Sequence, residues 1–189
     1  MCKEKGVSAA AAFSAVRKIE DIGLLPGRSI ASAITAFIAQ NKGAKDDKRV
    51  DQGCNRGLSL EFAVGLAMCL VVLFLRRPLM TLFTKDSDIV ENGVRYFNII
   101  GFCYWLPCLT NGLQGYFRGI GRMTVTLFAT LTQISVRVLA TVLLVPVMMI
   151  PGVGLACVLG WCAMLSWEAP LQRYLRKSTL RKRIDETEN

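Results

Sequence analysis

The sequence predicts an all-α integral membrane protein with about five transmembrane helices. Apolar residues make up 52% of the 189 residues and charged residues only 20%. Four runs of about 20 residues are almost free of charge, and a helix of about that length crosses the roughly 30 Å of hydrocarbon in a bilayer. A soluble helical bundle is the alternative, but its helices would each keep a polar face, and these runs do not.

The five helices are predicted to span residues 7–40, 57–77, 88–117, 122–147 and 152–173. Residues 96–117 contain no charge at all, and residues 57–75 contain Glu61 alone. Prolines 146 and 151 separate the last two helices, because proline ends or bends a helix. Asp88 and Glu91 have the spacing of a capping box that would start the third helix, rather than that of a calcium loop.

The first helix carries a polar stripe. On helical geometry five polar side chains fall on one side, namely Arg17, Asp21, Arg28, Ser32 and Thr35. A bend is expected at Pro26-Gly27. Since lipid does not tolerate such a stripe, it should face protein or a water-filled cavity.

The distribution of lysine and arginine predicts the orientation. Residues 41–56, the turn at 118–122 and the region after Pro170 hold thirteen of these residues on one side, against five on the other. The positive-inside rule then places the first set in the cytoplasm, including a basic and then acidic tail at 176–189. The N-terminus would lie outside, which suggests a further helix upstream. A nucleic-acid partner is disfavoured, since the basic tail directly follows a predicted span.

Several kinds of chemistry are excluded by composition. The chain has no histidine, and its seven cysteines form no C-x-x-C pair, so neither a catalytic dyad nor a zinc site is indicated. No nucleotide-binding motif is present, because the pair Gly119 and Gly121 lacks the third glycine and the preceding strand. We therefore expect no enzyme activity, no metal centre and no cofactor.

A series of short motifs runs through residues 6–175. They are Lys18-Ile19-Glu20, Leu25-Pro26, Thr35-Ala36-Phe37, Gln40-Asn41-Lys42-Gly43-Ala44, Leu82-Phe83-Thr84-Lys85-Asp86, Phe117-Arg118-Gly119-Ile120-Gly121, Arg137 and Gly152-Val153-Gly154. In order and spacing the series resembles the MATE (multidrug and toxic compound extrusion) transporters. Eight of these residues match the family as structural positions: Pro26, Gln40, Asn41, Gly43, Ala44, Arg118, Gly119 and Gly121. Gly43 would take the left-handed conformation that ends a helix, and Asn41 and Lys42 would cap the last free carbonyls.

The resemblance implies that residues 1–175 correspond to helices eight to twelve, most of the C-terminal lobe of a twelve-helix exporter. It implies export of small xenobiotics, often cationic, in exchange for H⁺ or Na⁺ across the plasma membrane. The N-terminal lobe, or another copy of the chain, would be the partner. The position of the family's tenth-helix Asp falls on Pro107. Two alternatives stay open: a flippase of lipid-linked oligosaccharides, and a truncated membrane protein that does not transport.

The candidate pathway residues are polar groups inside the apolar segments. They are Lys18, Glu20, Asp21, Tyr104, Asn111, Gln114 and Arg137. A structural role stays open as the alternative for these residues. Arg17 could hold Glu20 and Asp21 in a local ion-pair cluster, and Arg137 could bind carbonyls of neighbouring helices. Tyr104, Asn111 and Gln114, which share one side of a helix, could form hydrogen bonds to neighbouring helices. Glu61 and Glu168 lie near the ends of their runs, so both are expected to reach the interface.

Overall fold

The computed structural model describes the backbone of residues 2–187 and the side chains of residues 10–178. Within that part the regular secondary structure is helical. The helices are α1 (Cys2–Gly23), α2 (Leu25–Gly43), α3 (Asp47–Phe83), α4 (Ser87–Ile100), a 3₁₀ turn (Gly101–Cys103), α5 (Trp105–Gly119), α6 (Met123–Met148) and α7 (Ile150–Thr187). The predicted all-α fold is therefore confirmed.

Two helices replace the predicted first helix. The axes of α1 and α2 differ by 42°, and the break lies at Leu24. The bend was expected at Pro26-Gly27, and that position was wrong. Pro26 instead occupies the first turn of α2, where its missing N–H has no helical partner to lose.

The predicted continuous helix over 88–117 is also wrong. The chain forms α4, then the 3₁₀ turn and then α5, and the backbone stays helical without completing one straight span. Pro107 lies in the first turn of α5, where proline is tolerated. The break therefore lies inside the uncharged run of residues 96–117.

The cap of α4 differs from the expected capping box. Asp86 is the N-cap, and its carboxylate accepts hydrogen bonds from the N–H groups of Asp88 and Ile89 at 2.9 and 3.4 Å. Asp88 lies inside the first turn, where its negative charge interacts favourably with the helix dipole.

Three helices are long and apolar enough to cross a membrane, counted over residues 10–178: α3, α6 and the described part of α7. The bent pair of α1 and α2 makes a fourth if it counts as one span. The outer face of α6 presents apolar side chains such as Phe128, Leu139 and Val147, which is the surface that lipid favours. The remaining predicted span, over residues 88–117, corresponds to the broken segment of α4 and α5.

Helix α5 lies at the centre of the packing, against α2, α3 and α7. Buried apolar residues form two clusters, one at each end of the bundle. The first joins α1, α4 and the C-terminal half of α3, and the second joins α2, α5 and the N-terminal half of α3. The α2–α3 and α5–α6 turns lie at the second cluster, and we call this side the basic end.

The turns at the basic end partly match the motif predictions. Asn41 donates to the carbonyl of Phe37 at 2.7 Å, and Gly121 takes a left-handed φ of 78° in the α5–α6 turn. Gly43 does not take that conformation; it is the last helical residue of α2, and Lys45 carries the positive φ of 58°. Lys42 pairs with Asp47 rather than with a free carbonyl, at 2.8 Å.

An ion pair ties α7 to α3 at the basic end. Arg176 donates to Asp51 at 2.8 Å and to Asn55 at 2.7 Å. Helix α7 continues through Thr187, well past the predicted end of the last span at residue 173. Of the predicted tail, residues 188 and 189 lie outside the described residues.

Candidate ion and substrate site

Glu20 is the centre of a buried polar cluster. Its side chain belongs to α1, and the residue is 3% exposed. Oxygen Oε1 accepts hydrogen bonds from the hydroxyls of Tyr96, at 3.1 Å, and Tyr104, at 3.0 Å. Oxygen Oε2 faces Arg17, at 3.4 Å. Three donors thus stabilise this carboxyl group in apolar surroundings, because a buried polar group requires hydrogen-bond partners.

The break between α4 and α5 positions the two tyrosines. Tyr96 lies in α4 before the 3₁₀ turn, and Tyr104 follows the turn at the N-cap of α5. Both rings are buried in the apolar cluster, and both hydroxyls reach the same carboxyl oxygen. The ring of Tyr104, a candidate pathway residue, is fully buried in this structure.

The charged neighbours of Glu20 are exposed. Asp21 pairs with Arg28 across the break at 3.1 Å, so the expected pairing of Arg17 is seen with Glu20 and not with Asp21. Lys18 is exposed beside them. Most of the polar stripe therefore lies on a surface that is open in this chain, whereas Thr35 is half-buried and donates to the carbonyl of Gly115 at 3.1 Å.

An apolar cavity adjoins the cluster. It has a volume of about 540 Å³ and lies between α1, α4 and the α6–α7 junction. Its lining includes Phe13, Val16, Tyr96, Val145 and Val153. Pockets of about 300–1,000 Å³ with apolar walls and a few polar groups hold small organic molecules. Tyr96 belongs both to this cavity and to the Glu20 cluster, so it joins the two.

The other candidate residues lie apart from this cavity lining. Asn111 is half-buried, and Gln114 approaches the sulfur of Met164 on α7 with its amide nitrogen at 3.9 Å. Arg137 on α6 is half-buried and near enough to interact electrostatically with Glu20. Thus Glu20 and Tyr104 come together, Arg137 acts on Glu20 only at longer range, and Gln114 contacts another helix. Their role in a pathway stays a prediction.

Three residues of interest were missed or misjudged. Tyr96 was not singled out, although a tyrosine inside an uncharged run was a signal. Glu61 and Glu168 were expected at the interface, but both are 0% exposed, and their carboxyl oxygens have no hydrogen-bond partner among the described residues. The reason for the error is helix length: α3 begins at Asp47, so Glu61 lies about four turns inside it.

Two curated proteins are similar in sequence to this chain. The FAD transporter of Shewanella oneidensis is 26% identical over 125 residues, which cover 64% of this chain and 27% of that protein. The probable multidrug resistance protein NorM of Thermotoga maritima is 22% identical over 116 residues, which cover 61% of this chain and 25% of that protein. The chain thus spans about a quarter of the length of these curated relatives.

Solved structures share the fold. A multidrug resistance MATE family transporter of the MOP superfamily in its outward-facing conformation superposes with a TM-score of 0.84 and 18% identity, covering 94% of this chain and 40% of that one. The inward-facing form gives a TM-score of 0.78 and 17% identity, covering 87% and 37%. The family profile described as MatE matches residues 1–144. Since this match covers most of the sequence, the chain belongs to the MatE family of membrane transporters, and not to a family of enzymes.

Proposed function

We propose that the chain forms most of the C-terminal lobe of an ion-driven exporter. The lobe would exchange small xenobiotic molecules, often cationic, for H⁺ or Na⁺ across the plasma membrane. The observation that supports this most is the buried Glu20 carboxyl beside an apolar cavity of about 540 Å³, with Tyr96 common to both. The gradient supplies the energy, so no organic cofactor takes part.

The geometry suggests how ion and substrate compete. Glu20 in its ionised form binds one cation, a proton or Na⁺, with the hydroxyls of Tyr96 and Tyr104 holding the same carboxyl. A substrate in the adjoining cavity displaces the ring of Tyr96 and weakens its bond to Glu20. Ion release and substrate binding are then linked through one side chain, and the linkage is reciprocal.

A second candidate is export of an anionic, dinucleotide-like molecule. Three cations, Arg17, Lys18 and Arg28, are exposed near the bend, where Glu20 and Asp21 are the two nearby carboxyl groups. That small positive excess favours an anion, and the Shewanella oneidensis relative is named an FAD transporter. The flippase alternative has no comparable observation in its favour.

Binding to the purified chain distinguishes these candidates. Ethidium and FAD are both fluorescent, so each can be titrated onto the 189-residue chain in lipid nanodiscs at several pH values and Na⁺ concentrations. We expect ethidium to bind, and to bind more weakly as the coupling ion is raised. Tighter binding of FAD than of ethidium would support the second candidate. Ethidium binding that no ion affects would contradict the exchange mechanism.

The proposed orientation puts the basic end in the cytoplasm, together with the C-terminus. Single cysteines at Lys45 and Arg122, in a background with the native cysteines replaced, should react with a membrane-impermeant maleimide only after the cells are opened. A cysteine at Lys85, in the turn between α3 and α4, should react in intact cells. Labelling of position 85 only in opened cells would reverse the orientation.

A further inference from the structure

Glu61 is a second buried carboxyl, separate from the Glu20 cluster. It lies in the half of α3 that packs against α2 and α5, and it is 0% exposed. Both carboxyl oxygens lack a hydrogen-bond partner among the described residues. Glu20, by contrast, has three donors on its carboxyl. The difference in surroundings predicts a difference in protonation.

The helices around Glu61 approach one another through glycines. A Cβ atom at Gly27 on α2 would lie 3.0 Å from Glu61 Oε2, and one at Gly112 on α5 would lie 3.1 Å from its Cγ. The carboxyl therefore fills the junction of α2, α3 and α5 without spare room. The break between α1 and α2 at Leu24 lies three residues before Gly27, next to this junction.

Few titratable groups face Glu61. On α5 the thiol of Cys108 borders it, since both lie against the Cβ position of Gly27, at 3.5 Å for the sulfur. On α2 the facing residue is Gly27, and its neighbour Arg28 is exposed and paired with Asp21. On α3 the residue one turn further along the same face is Gly65, which has no titratable side chain. No cation among these residues compensates a carboxylate, so the neutral acid is the form that this packing accepts.

We propose that Glu61 is a second proton-binding site of this lobe, and that its protonation seals the junction of α2, α3 and α5. On deprotonation the proton passes from the carboxyl to water that enters between the helices, and the carboxylate stays hydrated there. The junction thus opens when Glu61 loses its proton and closes when the proton returns. The site does not depend on Glu20 or on which molecule the lobe exports, so it can fail while the proposed function stands.

Cys108 reports on the junction directly. The purified chain in nanodiscs is treated with a small maleimide at neutral and alkaline pH, and each cysteine is quantified by peptide mass spectrometry. Cys69, which is buried in the same helix as Glu61, is the internal reference. We expect the ratio of Cys108 to Cys69 labelling to rise several-fold with pH in the wild type and to stay constant in Glu61→Gln, which mimics the protonated acid. A constant ratio in the wild type, or an equal rise in the variant, would overturn the proposal.

Infrared spectroscopy supplies a test that needs no labelling. Glu168 is also buried, so the comparison is made in a Glu168→Gln background, with Glu91→Gln as an exposed control. We expect a carbonyl band of protonated carboxyl groups at neutral pH that loses the intensity due to Glu61 in Glu61→Gln and is unchanged in Glu91→Gln. A band that persists in full without Glu61 would refute its protonation. If Glu61→Gln does not fold, the wild-type labelling ratio still decides, because its failure to rise is sufficient to reject the site.

Discussion

Replacing Glu20 by glutamine is expected to reduce export to the background rate. The test uses a chimera in which the part of Thermotoga maritima NorM that precedes the matched region is joined to this chain. Gradient-driven ethidium efflux is compared at equal amounts of protein in the membrane. Glutamine keeps the size of the side chain and can still accept from Tyr96 or Tyr104, but it carries no charge and cannot take up or release a proton.

The matched control is Glu91→Gln, at an exposed position on α4 that forms an i,i+4 pair with Arg95. Such a surface pair contributes little, so efflux should stay near the wild-type rate. Asp21→Asn then tests the neighbouring carboxylate, whose pathway role is a prediction from the sequence alone. If Glu20→Gln exports at the rate of the wild type, the cluster is a structural ion pair and nothing more.

Substitution of Gly115 is expected to destabilise the packing of α2 on α5. A Cβ atom at this position would lie 2.6 Å from the backbone carbonyl oxygen of Ala31, and a backbone atom cannot move aside as a side chain can. Gly115→Ala should therefore lower the free energy of unfolding by about 1–3 kcal/mol, as overpacking of a well-packed core does, and Gly115→Val by more. Thermal unfolding in detergent, followed by circular dichroism, measures the change.

Gly43→Ala is the control for Gly115. Gly43 is also a helical glycine, but nothing lies within 4 Å of its Cβ position and its φ is not left-handed. Its unfolding midpoint should match that of the wild type or exceed it slightly, because alanine favours a helix. Equal midpoints for Gly115→Ala and Gly43→Ala would mean that α2 and α5 do not approach as closely as described.

The helical segments could be predicted because the bilayer imposes a simple rule. Only a helix satisfies its own backbone in hydrocarbon, so each long apolar run had to be helical. The rule does not locate bends. Pro26 and Pro107 lie in first turns, where proline is compatible with a helix, and the breaks at Leu24 and Gly101–Cys103 depend on how neighbouring helices pack.

The candidate site could be predicted in part. Glu20 was identifiable because a carboxyl inside an apolar segment requires a partner or a function. Its partners were not, because Tyr96 is 76 residues away and reaches it only through the packing of α4 on α1. Glu61 and Glu168 show the same limit. Their positions within runs suggested an exposed end, whereas burial depends on which helix covers them.

The cavity beside Glu20 is lined by α1, α4 and the α6–α7 junction. Transport by alternating access requires one repeat to move against another around the site. The relatives are about four times as long as the region matched here, which supports the view that further helices complete the pathway. On this account the 189-residue chain binds substrate but does not move it across a membrane.

Ethidium efflux from a drug-sensitive bacterium that lacks its own exporters tests the central claim most directly. The 189-residue chain and the NorM chimera are expressed separately, at equal membrane levels, and efflux is followed after a proton or sodium gradient is restored. We expect gradient-dependent efflux from cells that express the chimera and none from cells that express the 189-residue chain alone. Gradient-dependent efflux from the chain alone would contradict it, and would mean that copies of this chain form both walls of the pathway.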